Sequence, residues 1–135
     1  MKLRFFFAIV CFCGVFEAKS QESTFLSPDQ PPKCQKIKEG KFIRTGKSPK
    51  IWHMIIKNGV QKEYYNNGKD YMKSKLEFVD DCRYKIIITG KTEGKNSMRI
   101  GDIVMNEIIE TDHHFLRISS KYYNTTEEFV LEKIE

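Results

Sequence analysis

The sequence has 135 residues and a formal charge of +5, from 23 Lys and Arg against 18 Asp and Glu. This length excludes two domains of ordinary size. The mild basic excess comes with no recognisable nucleic-acid-binding motif, which argues against a nucleic-acid partner.

The chain opens MKLRFFFAIVCFCGVFEAKSQE. Lys2 and Arg4 form a basic start, the twelve residues from Phe5 to Phe16 carry no charge, and Ala18-Lys19-Ser20 is a small-x-small cleavage signature. The pattern predicts a secretory signal peptide over residues 1–20, cut after Ser20, and hence a secreted or periplasmic protein. A membrane anchor is the alternative, but a hydrocarbon core needs about 20 apolar residues. A lipoprotein is disfavoured because Val10 stands where a small residue should precede Cys11. Cleavage would remove Cys11 and Cys13 and leave a protein that is not integral to a membrane.

Residues 21–33, QESTFLSPDQPPK, hold prolines at 28, 31 and 32 and little apolar content, and are expected to be a flexible or extended tether. From Cys34 onward, short runs rich in Ile, Phe, Tyr and Val alternate with turn residues, which is an all-β pattern over a single domain, 34–135. Eight strands are expected, over Gly40–Thr45, Ile51–Lys57, Val60–Tyr65, Asp70–Val79, Arg83–Thr89, Ile103–Glu110, His114–Ser120 and Glu127–Lys133. Asn58-Gly59 is the strongest hairpin signal, because both central residues of a type I′ turn need positive φ. Asn67-Gly68, Thr111-Asp112 and Asn124-Thr125 mark further turns.

Met72, Ser74, Leu76 and Phe78 share one face of their strand while Lys73, Lys75 and Glu77 share the other, and Cys82, Tyr84, Ile86 and Ile88 repeat the alternation. Short connections favour an antiparallel up-and-down meander, and closing it into a barrel or strongly curved sheet deals with its edges. The polar segment KTEGKNSMRIGD, Lys91 to Asp102, is either a loop over a barrel mouth or a tolerated insertion.

Cys34 and Cys82 are the cysteines left after leader removal, and in an oxidising compartment such a pair reads as a disulfide. A reactive thiol is the competing reading, but Asp80 and Asp81 beside Cys82 would raise its pKa. The two carboxylates are expected to form a hairpin turn, because adjacent strand residues point to opposite faces. Asp112-His113-His114 is the one histidine cluster and His53 the third histidine, too few well-placed ligands for zinc. No nucleophile elbow or phosphate loop occurs, so neither a cofactor nor an enzyme is expected.

Residues 33–99 carry 17 Lys and Arg against 7 acids, whereas residues 100–135 carry 3 against 8. Either a basic face awaits an acidic partner, or strands of opposite charge lie side by side. Aromatic residues on strands are ordinary core or the lining of a ligand cavity. Trp52, Leu76, Phe78, Tyr84 and Ile86 are the candidates to line a cavity for a small apolar ligand. Asn124-Thr125-Thr126 matches a glycosylation acceptor, relevant in a eukaryotic secretory pathway.

At CQKIKEGKF and FVDDCRYKI the chain resembles short exported, lipocalin-like (calycin-type) proteins of Bacteroidetes type, whose function is uncharacterised. Cys34, Gly40, Phe42, Phe78, Asp81, Cys82 and Tyr84 carry the likeness. Gly40-Lys41-Phe42 is also similar to the Gly-x-Trp that opens lipocalin barrels, with Phe in place of Trp. The resemblance implies a small barrel, and the expectation is a monomeric binding module for a small apolar ligand. The alternative is an envelope-associated module that meets an acidic protein through its basic surface.

Overall fold

The computed structural model describes residues 25–94 and 97–135. The expected leader and the first residues of the expected tether lie outside the described residues. The chain forms a closed antiparallel up-and-down barrel in the order β1 to β8. Its strands are β1 (Gly40–Arg44), β2 (Trp52–Lys57), β3 (Val60–Tyr65), β4 (Asp70–Phe78), β5 (Arg83–Lys91), β6 (Ile103–Asp112), β7 (Phe115–Tyr122) and β8 (Thr125–Lys133). β1 pairs with β8, Phe42 opposite Lys133 and Arg44 opposite Leu131, so every edge strand is covered.

The alternation visible in the sequence becomes the inside and outside of the barrel. On β4, Asp70, Met72, Ser74 and Leu76 are buried, while Tyr71, Lys73 and Lys75 face water. Asn58 and Gly59 both take positive φ, 53° and 71°, as the β2–β3 hairpin requires. The last strands run past their expected ends, because the turns fall on His113 (φ 51°) and Tyr123 (φ 50°) rather than beside them. Register shifts at Lys73/Ser74 and Ile108/Glu110 bend the sheet where it must curve shut.

One end of the barrel is plugged. A single 3-10 turn, Cys34–Ile37, lies across it, with Ile37 fully buried against a floor that includes Phe42, Ile56 and Leu116, each 0% exposed. Burying each such side chain contributes about 1.5–3 kcal/mol. Cys34 is bonded to Cys82 in the β4–β5 corner, with 5.2 Å between Cα atoms. The corner is shaped by Asp80, whose Oδ1 accepts from the Cys82 and Arg83 amides at 3.0 and 2.8 Å while Oδ2 meets the Arg83 guanidinium at 2.7 Å. These hydrogen bonds hold the Asp80 carboxyl below its ordinary value.

Gly40 explains the Gly-Lys-Phe motif in local terms. Its φ is 141°, and a Cβ there would lie 2.4 Å from the Glu135 carbonyl oxygen and 2.7 Å from Lys133 Cε. Phe42, two residues on, fills the floor and carries the Lys133 ammonium 5.9 Å from its ring centre.

Residues 25–33, within the expected flexible or extended tether, lie along the outside of the barrel. Phe25 is buried beside Phe115, ring centres 6.3 Å apart, and under the Arg117 guanidinium at 5.4 Å. The Ser27 amide donates to Asp112 Oδ2 at 3.0 Å and the Asp29 amide to the Thr111 carbonyl at 2.8 Å. The buried Thr111 hydroxyl accepts from the Lys33 amide at 2.8 Å and donates to Asp29 Oδ2 at 2.7 Å. Polar groups near the end of β6 hold this irregular strap in place.

Candidate functional site

The up-and-down order sends the β1–β2, β3–β4, β5–β6 and β7–β8 connections to the end opposite the plug. Below them the lumen holds a cavity of about 220 Å³. At about 30 Å³ per molecule this is room for about seven waters. Its apolar wall includes Met54, Ile86, Val104, Phe129 and Leu131, and Met98 of the β5–β6 loop also reaches it. The long polar loop therefore contributes to the mouth of the barrel.

Of the five expected lining residues, Trp52, Tyr84 and Ile86 line the cavity. Leu76 is buried at 7% exposure in the packed core, away from the cavity wall. Phe78 is 36% exposed at the end of β4, 5.3 Å from the Tyr84 ring and 4.9 Å from the Lys38 ammonium, so it is not a lining residue. Period-two alternation assigns a residue to a face, but the height of a residue along a tilted strand depends on where the plug sits.

The polar part of the wall was not anticipated from sequence. Gln61 and Asn106 are 4% and 6% exposed, and both line the cavity. Gln61 Nε2 donates to Glu63 Oε2 at 3.4 Å, which leaves Gln61 Oε1 without a partner. The Asn106 side chain bonds the Tyr84 hydroxyl, and Asn106 Oδ1 is likewise unpartnered. Ser74, opposite Gln61 across β3 and β4 and 0% exposed, has a third unpartnered oxygen. A buried acceptor left unmade costs about 1–3 kcal/mol.

Glu63 is half-buried and lines the cavity. Desolvation pushes its pKa up, against the hydrogen bonds from Gln61 and Trp52 and the more distant Arg44 charge. Burial, with the Glu63 charge nearby, also raises the Tyr84 pKa, so its hydroxyl is protonated at any physiological pH. At the mouth, the Arg44 guanidinium lies 5.3 Å from the Trp52 ring and 4.7 Å from the Phe129 ring, and 3.7 Å from Glu127.

Other sequence candidates lie apart from this lumen. Asp81 is exposed at the plugged end. His53 stacks on Tyr64 at 4.9 Å, on the outer wall. His113 pairs with Asp112 at 2.5 Å and His114 approaches Glu132 at 3.9 Å. Among the described residues no three His, Cys, Asp or Glu side chains form a metal-holding group. Among the same residues, no helix is long and apolar enough to cross a membrane.

The charge split maps onto the outer wall. Lys62 of β3 stands directly opposite Lys73 of β4, with Lys75 farther along the same strand, while Glu107, Glu128 and Glu132 stand on β6 and β8. The two regions compensate where they meet, at Arg44 and Glu127 and at the Arg83–Glu107 cross-strand pair. Comparison with protein-family models, with curated proteins and with solved structures finds no match.

Proposed function

We propose that this protein is an exported, lipocalin-like binding module that holds a small ligand in the lumen of its barrel, entered past Trp52, Met98 and Phe129. The observation that carries the reading is the pair of buried, unpartnered oxygens, Gln61 Oε1 and Asn106 Oδ1, on the wall of a cavity. Polar atoms that a packed core would not tolerate are what a binding cavity uses to orient its occupant. A disulfide closing the plugged end supports an oxidising compartment. Native mass spectrometry of the protein isolated from the organism that makes it, before and after reduction, tests the proposal. A retained small molecule, released when the barrel is unfolded, is the expected result; a spectrum with only the bare, processed chain counts against it.

A second reading rests on the Lys62–Lys73 pair. Like charges directly opposite each other on a sheet are destabilising, and these two are bordered by Ile55, 37% exposed, and Tyr71, 43% exposed. An acidic protein surface would relieve that repulsion. Reversal of Lys73 and Lys75 to Glu should then abolish a salt-sensitive association; an association unchanged by the reversal removes this reading.

A further inference from the structure

We propose that the ligand of the lumen is a small organic cation, an ammonium head bearing N–H donors on a short apolar body, seated against Glu63, Gln61 and Asn106. The inference rests on the lumen-binding reading and adds the chemistry of the ligand. The unmet groups of the wall are acceptors, Gln61 Oε1 and Asn106 Oδ1. A ligand that satisfies acceptors must donate, and an ammonium brings three donors on one atom.

Charge separates a cation from a neutral alcohol. The ionisable groups lining the cavity with a formal charge are Arg44, Glu63 and Glu127. Arg44 is committed to Glu127 at 3.7 Å and to the rings of Trp52 and Phe129. Glu63 accepts from neutral donors, the Gln61 amide and the Trp52 indole, and burial raises its pKa against those bonds and the more distant Arg44 charge. With Glu63 ionised, these lining groups carry one negative charge in excess. An ammonium would compensate it, whereas a carboxylate ligand would add a second.

The rest of the wall limits the body of the ligand. Met54, Ile86, Val104 and Leu131 offer apolar surface below the mouth, and about 220 Å³ admits a molecule of about seven non-hydrogen atoms at a water-like ~30 Å³ each. Hexylamine has that size. Trp52 is the single tryptophan of the chain and lines the cavity, so its fluorescence reports occupancy directly.

The test titrates the purified protein with hexylamine, hexanol and hexanoate, followed by Trp52 fluorescence and calorimetry. Hexylamine should bind about tenfold tighter than hexanol or more, and hexanoate weakest. Glu63→Gln should remove that preference, so that hexylamine loses its roughly tenfold advantage over hexanol. Gln61→Met, which keeps the carboxylate, should weaken hexylamine and serves as the second variant should Glu63→Gln unfold. Equal or tighter binding of hexanol or hexanoate overturns the cationic ligand and leaves the lumen reading standing. Saturable binding of none of the three overturns both.

Discussion

The Tyr122 hydroxyl, at the end of β7, donates to the Asp102 carboxylate at 2.5 Å, where the long β5–β6 loop returns to the barrel. Asp102 also accepts from the Arg99 amide at 2.8 Å and from the Tyr123 hydroxyl at 3.4 Å. One carboxylate thus ties the loop that carries Met98 to β7, the neighbour of the strand that the loop enters.

This bond has a titration signature. It raises the Tyr122 pKa from an ordinary 10.0 to about 12 and lowers that of Asp102. For the tyrosine, whose folded value is the higher, the stabilisation is whole below pH about 10 and is lost as pH rises toward about 12. For the carboxylate, the contribution is present above its unfolded value of about 3.9 and is lost as pH falls through the lower folded value. Ultraviolet absorbance should show two late-titrating tyrosines, Tyr122 and the buried Tyr84, of which Tyr122 alone moves toward an ordinary pKa in Asp102→Asn. Faster amide exchange over 97–101 in the same variant would accompany it.

The Cys34–Cys82 bond spans a sequence separation of 48 and ties the plug to the β4–β5 corner. The chain-entropy argument gives about 4 kcal/mol for a loop of that size, commonly less when measured. A Cys34→Ala/Cys82→Ala variant should unfold at denaturant concentrations lower by the equivalent of about 2–4 kcal/mol. An unchanged midpoint would show that the plug is held by packing alone.

Gly40→Ala should be costly in a way that Gly90→Ala is not. At Gly40 an added Cβ meets the Glu135 carbonyl at 2.4 Å, whereas at Gly90 its nearest contact is an ordinary 3.8 Å. The backbone strain is of order 1–3 kcal/mol, and the displaced chain end also loses the Lys41 amide to Glu135 hydrogen bond, 3.0 Å. Paired thermal melts of the two variants check the difference.

Thr111→Val tests the strap of residues 25–33. Its hydroxyl is 0% exposed and serves Lys33 and Asp29 together, so the isosteric methyl should lower stability by about 1 kcal/mol. Hydrogen exchange should quicken at Lys33, whose amide loses its acceptor. Unchanged protection there would contradict the proposed anchoring.

The fold was legible because its determinants are local. The Asn58-Gly59 turn, the alternation of Met72, Ser74 and Leu76 against Lys73 and Lys75, and a pair of cysteines are all visible within a few residues or by simple count. What was hidden depends on distant strands. Asp29 and Thr111 are 82 positions apart, so no window reveals that a proline-rich segment is fastened down. Gln61 and Glu63 sit in VQKEYY, which reads as an ordinary polar strand until closure turns them inward. Phe78 carries the right face but lies too near the plug. A polar residue on the inward phase of a strand, as Ser74 is among Met72 and Leu76, was the one available signal of a lumen that is not simply packed.

The most direct test of lumen binding is a nitrogen–proton correlation spectrum recorded during titration with hexylamine and, separately, hexanol. The Trp52 indole and the Gln61 and Asn106 side-chain amides each give their own signal and all line one cavity. A saturable shift of these three, with the amides of Lys62, Tyr64 and Lys73 on the outer wall unmoved, is the expected result. Shifts confined to that outer wall, or none in the lumen with either compound, would contradict a ligand site inside the barrel.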